Sequence, residues 1–343
     1  MTRLLPILII LITLLAACGG APAAVEPATA PAPTAEAADP VVEPTSASAA
    51  ATTRTVTHAF GSAEVPLRPQ RVVALDAFFT LTPLIELGVP VVGSVSLGEP
   101  VAYPGLTEAE SAGITSVGSG RLASLEAVAA LKPDLIIGVD FVEPPYDQLS
   151  QIAPTVIIPT ALDWKAQHRA LGEATGRLEQ AEQGIAAYQA RVADLKARMP
   201  RVTVSYLTLT GETPGLYTMG PQAWAPARVL DDAGVQRPAD EITSEGSFFK
   251  SLSLEVLPEL KGDVLLYATG YPGIDTTSAG YAPAVTTSPI WQQIPAVKAG
   301  RAYQVTGACW ETFGGLRSAN CVLDDIERLL SISPQASRYD PAW

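Results

Sequence analysis

The chain has 343 residues, 48% of them hydrophobic, enough to bury a sizeable core, and 35 acidic against 22 basic residues give a formal net charge of −13. A surface of that sign repels phosphate backbones and anionic lipid, which excludes a charge-driven nucleic-acid or membrane-face function. Two histidines, His58 and His168, are too few for the His-rich site that a bare transition metal prefers, and the sequence has neither a Gly-x-Ser-x-Gly elbow nor a phosphate-binding loop.

Residues 1–17 read as a secretory signal: one basic residue, Arg3, then an apolar stretch over residues 4–15, shorter than the roughly 17–25 residues that span a bilayer. Leu15-Ala16-Ala17-Cys18 resembles a bacterial lipoprotein signal, which implies lipid on Cys18. Residues 18–53 are dominated by Ala, Pro, Thr, Ser and Glu, without an aromatic residue or apolar periodicity. Such a segment cannot offset its ordering entropy and is expected to be a disordered tether reaching roughly 30 Å.

Over residues 54–164 short apolar runs alternate with helical stretches. Strands are predicted at residues 72–75, 91–93, 114–117, 135–139 and 156–158, the continuous apolar type that a parallel sheet covered on both faces requires. Residues 165–199 carry Leu171, Ala174, Leu178, Ala181, Ile185, Tyr188, Val192, Leu195 and Met199 at alternating spacings of three and four, which predicts one amphipathic helix about 50 Å long. Laid across two lobes as a backbone, it buries that stripe better than a coiled coil would, since Gly172, Gly176 and Gly184 weaken it in isolation. A second strand series, at residues 202–207, 264–268 and 302–305, and a helix over 316–330 fill residues 200–343. The expected fold class is α/β, two Rossmann-like lobes with parallel sheets bridged by a single long helix.

One pattern occurs in both lobes. Ser124-Leu125-Glu126, Leu131-Lys132 and Asp134-Leu135-Ile136-Ile137 recur as Ser253-Leu254-Glu255, Leu260-Lys261 and Asp263-Val264-Leu265-Leu266, at a constant offset of 129 residues. Each copy predicts a Ser N-cap, a short helix with Glu in its first turn, a tight turn and a buried strand. An acid in the first turn complements the helix dipole by ~0.3–1 kcal/mol; that explains either Glu alone better than it explains the matched pair.

Gly118-Ser119-Gly120-Arg121-Leu122-Ala123 follows a strand, with Asp140 about twenty residues on, which superficially fits a dinucleotide fingerprint. The Ser124 cap places the helix start after the glycines, so phosphates would miss the helix N-terminus. Aromatic residues instead collect in loops at strand ends: Phe78, Tyr217, Trp224, Phe248, Tyr271 and Trp310. With Arg121 and Arg317 in comparable loops, and Asp140, they are the candidate ligand-binding residues for a large, partly planar, anionic ligand. Cys309 and Cys321 are a disulfide candidate in an oxidising compartment; the alternative is two small buried hydrophobes.

With these features the chain resembles the periplasmic iron-siderophore and cobalamin receptors of ABC importers, closest to ferric-siderophore receptors. The resemblance runs over nearly all of residues 55–330 and rests on Pro69-Gln70-Arg71-Val72-Val73-Ala74-Leu75, the Ser124–Ile137 pattern, Tyr146-Asp147-Gln148-Leu149-Ser150-Gln151-Ile152-Ala153-Pro154-Thr155, Ala296-Val297-Lys298-Ala299-Gly300-Arg301-Ala302-Tyr303 and Val322-Leu323-Asp324-Asp325-Ile326-Glu327. It implies a lipid-anchored, monomeric, non-enzymatic receptor on the outer face of the cytoplasmic membrane, which captures a ferric siderophore between its lobes and delivers it to a permease dimer with its ATPase. It further implies that Glu126 and Glu255 dock to the permease, that no cofactor or protein-bound metal is needed because iron arrives as a chelate, and that Trp310 belongs to the ligand site. Haem or a cobalamin is the alternative ligand within the class, and a nucleotide-dependent enzyme is the alternative outside it. Residues 270–285, rich in Gly, Thr and Ser, and Arg317 depart from the family pattern.

Overall fold

The computed structural model describes residues 52–97, 102–103, 105–141, 144–209, 215–220, 225–242, 249–270, 280–311 and 314–330. Residues Ala50–Trp343 form one compact unit. Cys18, Trp224, Phe248 and Tyr271 lie outside the described residues.

The unit opens with a hairpin, β1 (Thr53–His58) and β2 (Gly61–Pro66), beginning at a residue whose composition placed it in the tether. The first lobe then alternates β3 (Val72–Ala74), α1 (Thr82–Glu86), β4 (Val91–Ser96), α2 (Glu108–Ser111), β5 (Thr115–Ser119), β6 (Leu122–Ala123), α3 (Leu125–Ala130), β7 (Leu135–Val139), α4 (Tyr146–Leu149) and β8 (Thr155–Ile158). Its sheet has the order β6-β5-β4-β3-β7-β8 and is parallel except for β6, which returns from β5 through a two-residue turn. Every residue of β3, β7 and β8 is buried. Alternate residues feed two cores: Val72, Ala74, Leu135 and Ile137 on one face, Val73, Leu75 and Ile136 on the other. A sheet covered on both faces needs these continuous apolar runs.

The predicted helix over 165–199 is two helices. α5 (Trp164–Thr175) ends at Gly176, whose φ of 69° is the left-handed C-cap conformation, and α6 (Leu178–Arg198) follows. Arg54 fixes the break from outside, donating from Nε to the Glu173 carbonyl and from Nη1 to that of Leu67, both at 2.8 Å. A Cβ at Gly176 would meet the Leu67 carbonyl oxygen at 2.2 Å, so the site admits glycine alone. The bridge between lobes is therefore α6. It places Ala181 in the core of the first lobe and Ile185, Tyr188 and Leu195 in that of the second.

The second lobe contains β9 (Val204–Leu209), β10 (Leu216–Met219), α7 (Ala225–Asp232), β11 (Phe249–Leu252), β12 (Val264–Ala268), α8 (Tyr281–Thr286), α9 (Pro295–Lys298), β13 (Ala302–Val305), α10 (Gly307–Trp310) and α11 (Leu316–Leu329). Its sheet, β11-β10-β9-β12-β13, has a parallel core of β9, β12 and β13, but β10 is antiparallel to both neighbours. The link from Leu209 to Leu216 is too short for the crossover that a parallel return requires. Cys309 and Cys321 form a disulfide, with Cα atoms 5.9 Å apart, that ties α10 to α11. Among the described residues no helix is long and apolar enough to cross a membrane.

Candidate functional site

The repeated pattern has a matching structural role in each lobe. β7 and β12 span residues related by the same 129-residue offset, and each pairs in parallel with the first core strand of its lobe, β3 or β9. Asp134 accepts the backbone N–H groups of Gln70 and Arg71, at 2.7 and 2.9 Å, where the chain enters β3. Asp263 accepts the Thr203 N–H at 2.9 Å just before β9. The glutamates also correspond. Glu126 and Glu255 are both exposed, and each carboxyl is held below its usual range by its own backbone N–H and then by the Ser two residues earlier.

The helices that carry them differ. Ser124 caps a regular α3, accepting the Ala127 N–H at 3.2 Å. Residues Leu254–Glu259 form a 3₁₀ helix with Pro258 inside it and no side-chain cap from Ser253. Proline removes a donor and crowds the preceding turn, so the second copy cannot continue as α-helix. The Ser–Glu pair is thus kept where the helix type is not, which weakens the helix-dipole account of Glu255.

Ligands of open α/β lobes bind at the carboxyl ends of the strands. In the first lobe these ends bring together Asp76, Phe78, Phe79, Arg121 and Phe141. Asp76, two residues past the end of β3, is 6% exposed; one of its oxygens accepts the N–H groups of Phe78 and Phe79 at 2.8 and 2.6 Å, opening a π-helical turn over Ala77–Leu81. Burial pushes its carboxyl up, against those two hydrogen bonds and the charge of Arg121. Phe78 is half-buried on this turn, and Phe79 meets Phe141 edge-on with ring centroids 5.9 Å apart. Arg121 is at the tip of the β5–β6 hairpin, beside Gly120 at a φ of 64°, and its guanidinium carbon lies 4.5 Å from the centre of the Phe141 ring. This hairpin also removes the dinucleotide reading: the glycines turn a strand back on itself and do not open a helix.

Other predicted ligand residues are engaged elsewhere. The Asp140 carboxylate accepts the Thr160 hydroxyl and N–H, at 2.6 and 3.2 Å, and so fastens the loop after β8. Tyr217 is half-buried on β10, opposite Thr208 of β9. Trp310 is 0% exposed in the core of the second lobe, with its ring 5.2 Å from that of Tyr206 and its Nε1–H donated to Asp325 at 2.8 Å. Arg317 is engaged across the lobes. Its guanidinium grips Glu110 of α2 in the other lobe, Nη2 to Oε1 at 2.5 Å and Nη1 to Oε2 at 3.0 Å, and Nη1 also donates to the Gly105 carbonyl at 3.1 Å. It is an inter-lobe tie.

Sequence reasoning passed over the reciprocal tie. Glu86, in the last turn of α1, accepts the N–H groups of Leu316 and Arg317, at 2.9 and 3.2 Å, and so caps α11 from the other lobe. Gly315 supplies no side-chain cap of its own. Burial pushes the Glu86 carboxyl up to about 7, outweighing the Arg317 charge and the two hydrogen bonds. A signal was present: an acid in the last turn of a helix opposes the dipole locally, so its reason must be tertiary. For Asp76 the signal is an Asp placed directly before a helical turn.

A groove of about 310 Å³ lies on the flank of the first lobe, lined by Ser62, Glu64, Tyr146, Gln151 and Thr155 among others. Among the described residues, none of the sequence-predicted ligand residues borders it.

Residues 90–308 match the family model described as periplasmic binding protein, and the chain belongs to that family. It is 34% identical over 287 residues to the probable siderophore-binding lipoprotein YfiY of Bacillus subtilis (strain 168), covering 80% of this chain and 87% of that protein. It is 30% identical over 279 residues to the achromobactin-binding periplasmic protein of Dickeya dadantii (strain 3937), covering 77% and 88%. Among solved structures, Staphylococcus aureus SirA complexed with staphyloferrin B superposes with a TM-score of 0.70 at 26% identity, over 82% of this chain and all of that one (100%).

Proposed function

We propose that this protein is the solute-binding receptor of an ABC importer and that it captures a ferric siderophore between its two lobes. The observation that carries the reading is the near full-length similarity to relatives named for binding siderophores, on a fold shared with a siderophore complex. The paired aromatic rings and exposed guanidinium at the strand ends of the first lobe suit a bulky chelate. Iron enters and leaves as the chelate, without a resident cofactor. Glu126 and Glu255, alike in exposure and in their Ser partners, dock on basic residues of the permease, and lipid on Cys18 holds the receptor at the outer face of the cytoplasmic membrane.

Thermal-shift and fluorescence titrations with ferric siderophores, haem and cobalamin test the ligand. Stabilisation by a ferric siderophore is expected, and a response to haem or cobalamin alone sinks the reading. Cys18→Ser is expected to abolish lipid labelling and release the protein from the membrane; labelling that persists in this variant removes the anchor.

A further inference from the structure

We propose that Phe141 is a positioning residue of the candidate site: its ring holds the Arg121 guanidinium over the strand ends of the first lobe, with the N–H groups free for an oxygen of the bound chelate. The inference rests on the receptor reading above and adds to it a residue that acts on the ligand through another.

Arg121 is exposed at the tip of the β5–β6 hairpin, and among the described residues its side chain makes no hydrogen bond and no ion pair. It is nevertheless placed. Its guanidinium carbon lies 4.5 Å from the centre of the Phe141 ring, inside the roughly 6 Å reach of a cation–π contact. The two residues follow strands that are not neighbours. In the order β6-β5-β4-β3-β7-β8, the ends of β4 and β3 lie between them, a span of about 14 Å at about 4.8 Å per strand. The arginine thus reaches across the middle of the sheet's carboxyl edge, where open α/β lobes take their ligands. Asp76, two residues past β3 on that path, interacts with the same charge.

A long cationic side chain on a hairpin tip samples many rotamers, and ordering it on binding costs affinity. A ring contact restricts the side chain without consuming its five N–H donors. An ion pair spends them, as it does where Arg317 grips Glu110.

Phe141 is itself held. Its ring meets that of Phe79 at 5.9 Å and 72°. Phe79 is 8% exposed, and its N–H is donated to the buried Asp76 carboxylate at 2.6 Å. Phe141 is half-buried and belongs to neither core of the first lobe. Core packing therefore does not account for an aromatic residue here, whereas the support of Arg121 does. The chain of contacts runs from Asp76 through Phe79 and Phe141 to the exposed guanidinium.

The test is a double-mutant cycle on the mature protein with Phe141→Leu, Arg121→Gln and the pair, and with Phe141→Tyr as the variant that keeps the ring. Fluorescence titrations use ferric staphyloferrin B, ferric achromobactin and ferric enterobactin as probes. Phe141→Leu is expected to weaken the chelate that the wild type binds by about 3- to 30-fold at a near-unchanged melting temperature. Phe141→Tyr should bind within about threefold of the wild type, and Phe141→Leu should cost less than about threefold in the Arg121→Gln background. In NMR spectra of the unliganded protein, the Arg121 side-chain protons should be shifted upfield by the ring and return to ordinary arginine positions in Phe141→Leu. Wild-type affinity in Phe141→Leu, an equal loss in both arginine backgrounds, or Arg121 resonances indifferent to the ring overturns the inference and leaves the receptor reading standing. A wild type that binds none of the three chelates overturns the receptor reading and the inference with it.

Discussion

The carboxylate of Glu86 accepts the backbone N–H of Leu316 at 2.9 Å, so a side chain of the first lobe caps a helix of the second. Arg317, the next residue, reaches back to Glu110. The lobes are thus clasped in both directions at the N-terminus of α11, on the side where α6 crosses between them. This has a pH signature. The Glu86 carboxyl rises from 4.5 to about 7 in the fold. A raised carboxyl favours the fold in its protonated form, so its contribution is complete below about pH 4.5 and is lost as pH rises through about 7. The loss should be about 2–4 kcal/mol. Melting curves of the wild type and Glu86→Gln at pH values across that window should diverge, the wild type losing ground as pH rises; parallel curves would remove Glu86 as their cause.

Arg317→Ala should lower stability by about 1–3 kcal/mol, because it leaves the Glu110 carboxylate and the Gly105 carbonyl without a charged donor. Glu110→Gln should reproduce most of that loss. Chelate affinity should change by less than about threefold in both. A large loss of affinity at an unchanged melting temperature would return Arg317 to the ligand site.

Trp310→Ala should cost about 3–5 kcal/mol, the usual penalty for emptying a large aromatic site in a packed core. The buried Asp325 would also lose the indole N–H as a donor. Weakened binding of ligand by a variant with wild-type stability would contradict this placement.

Gly176→Ala should destabilise by about 2 kcal/mol or more. Part is the left-handed backbone conformation, and part is contact of the new methyl with the Leu67 carbonyl. Gly88, also at a positive φ of 68° but with open space around it, is the control. Gly88→Ala should cost only the conformational part, about 1 kcal/mol. Urea denaturation of the two variants separates clash from conformation, and equal losses would show that packing at the helix break contributes nothing.

Charge reversal at Glu126 or Glu255 (Glu→Arg) should leave ligand affinity and melting temperature near wild type and suppress uptake, since like charges facing each other across an interface cost several kcal/mol. If the glutamates serve only their helices, the result is a small stability loss with normal transport. Iron uptake by cells carrying each single variant decides between the two, and normal uptake in both would leave the pair without a docking role.

The repeat in the sequence located corresponding units in the two lobes because its residues act through neighbours in the chain: Ser124 caps its own helix, and Asp134 and Asp263 precede their own strands. Apolar runs such as Leu135–Val139 and Val264–Ala268 identified buried strands for the same reason, since covering a sheet on both faces requires every residue to be apolar. Even the break at Gly176 was written there as a glycine within the heptad, but three glycines shared that stretch. Only the docked Arg54 and the Leu67 carbonyl determined which of them ends a helix. The long-range ties were silent. Arg317 looked like a loop cation for an anionic ligand, and no local pattern states that α2 and α11 meet. Trp310 looked like a loop aromatic for a ligand, and the tertiary structure enclosed it because the disulfide and α11 fold back over α10. Local periodicity and capping are set by residues a few positions apart, whereas the partners of a charge or a ring are chosen by the packing of elements, which in the case of Glu86 and Leu316 lie 230 residues apart in sequence.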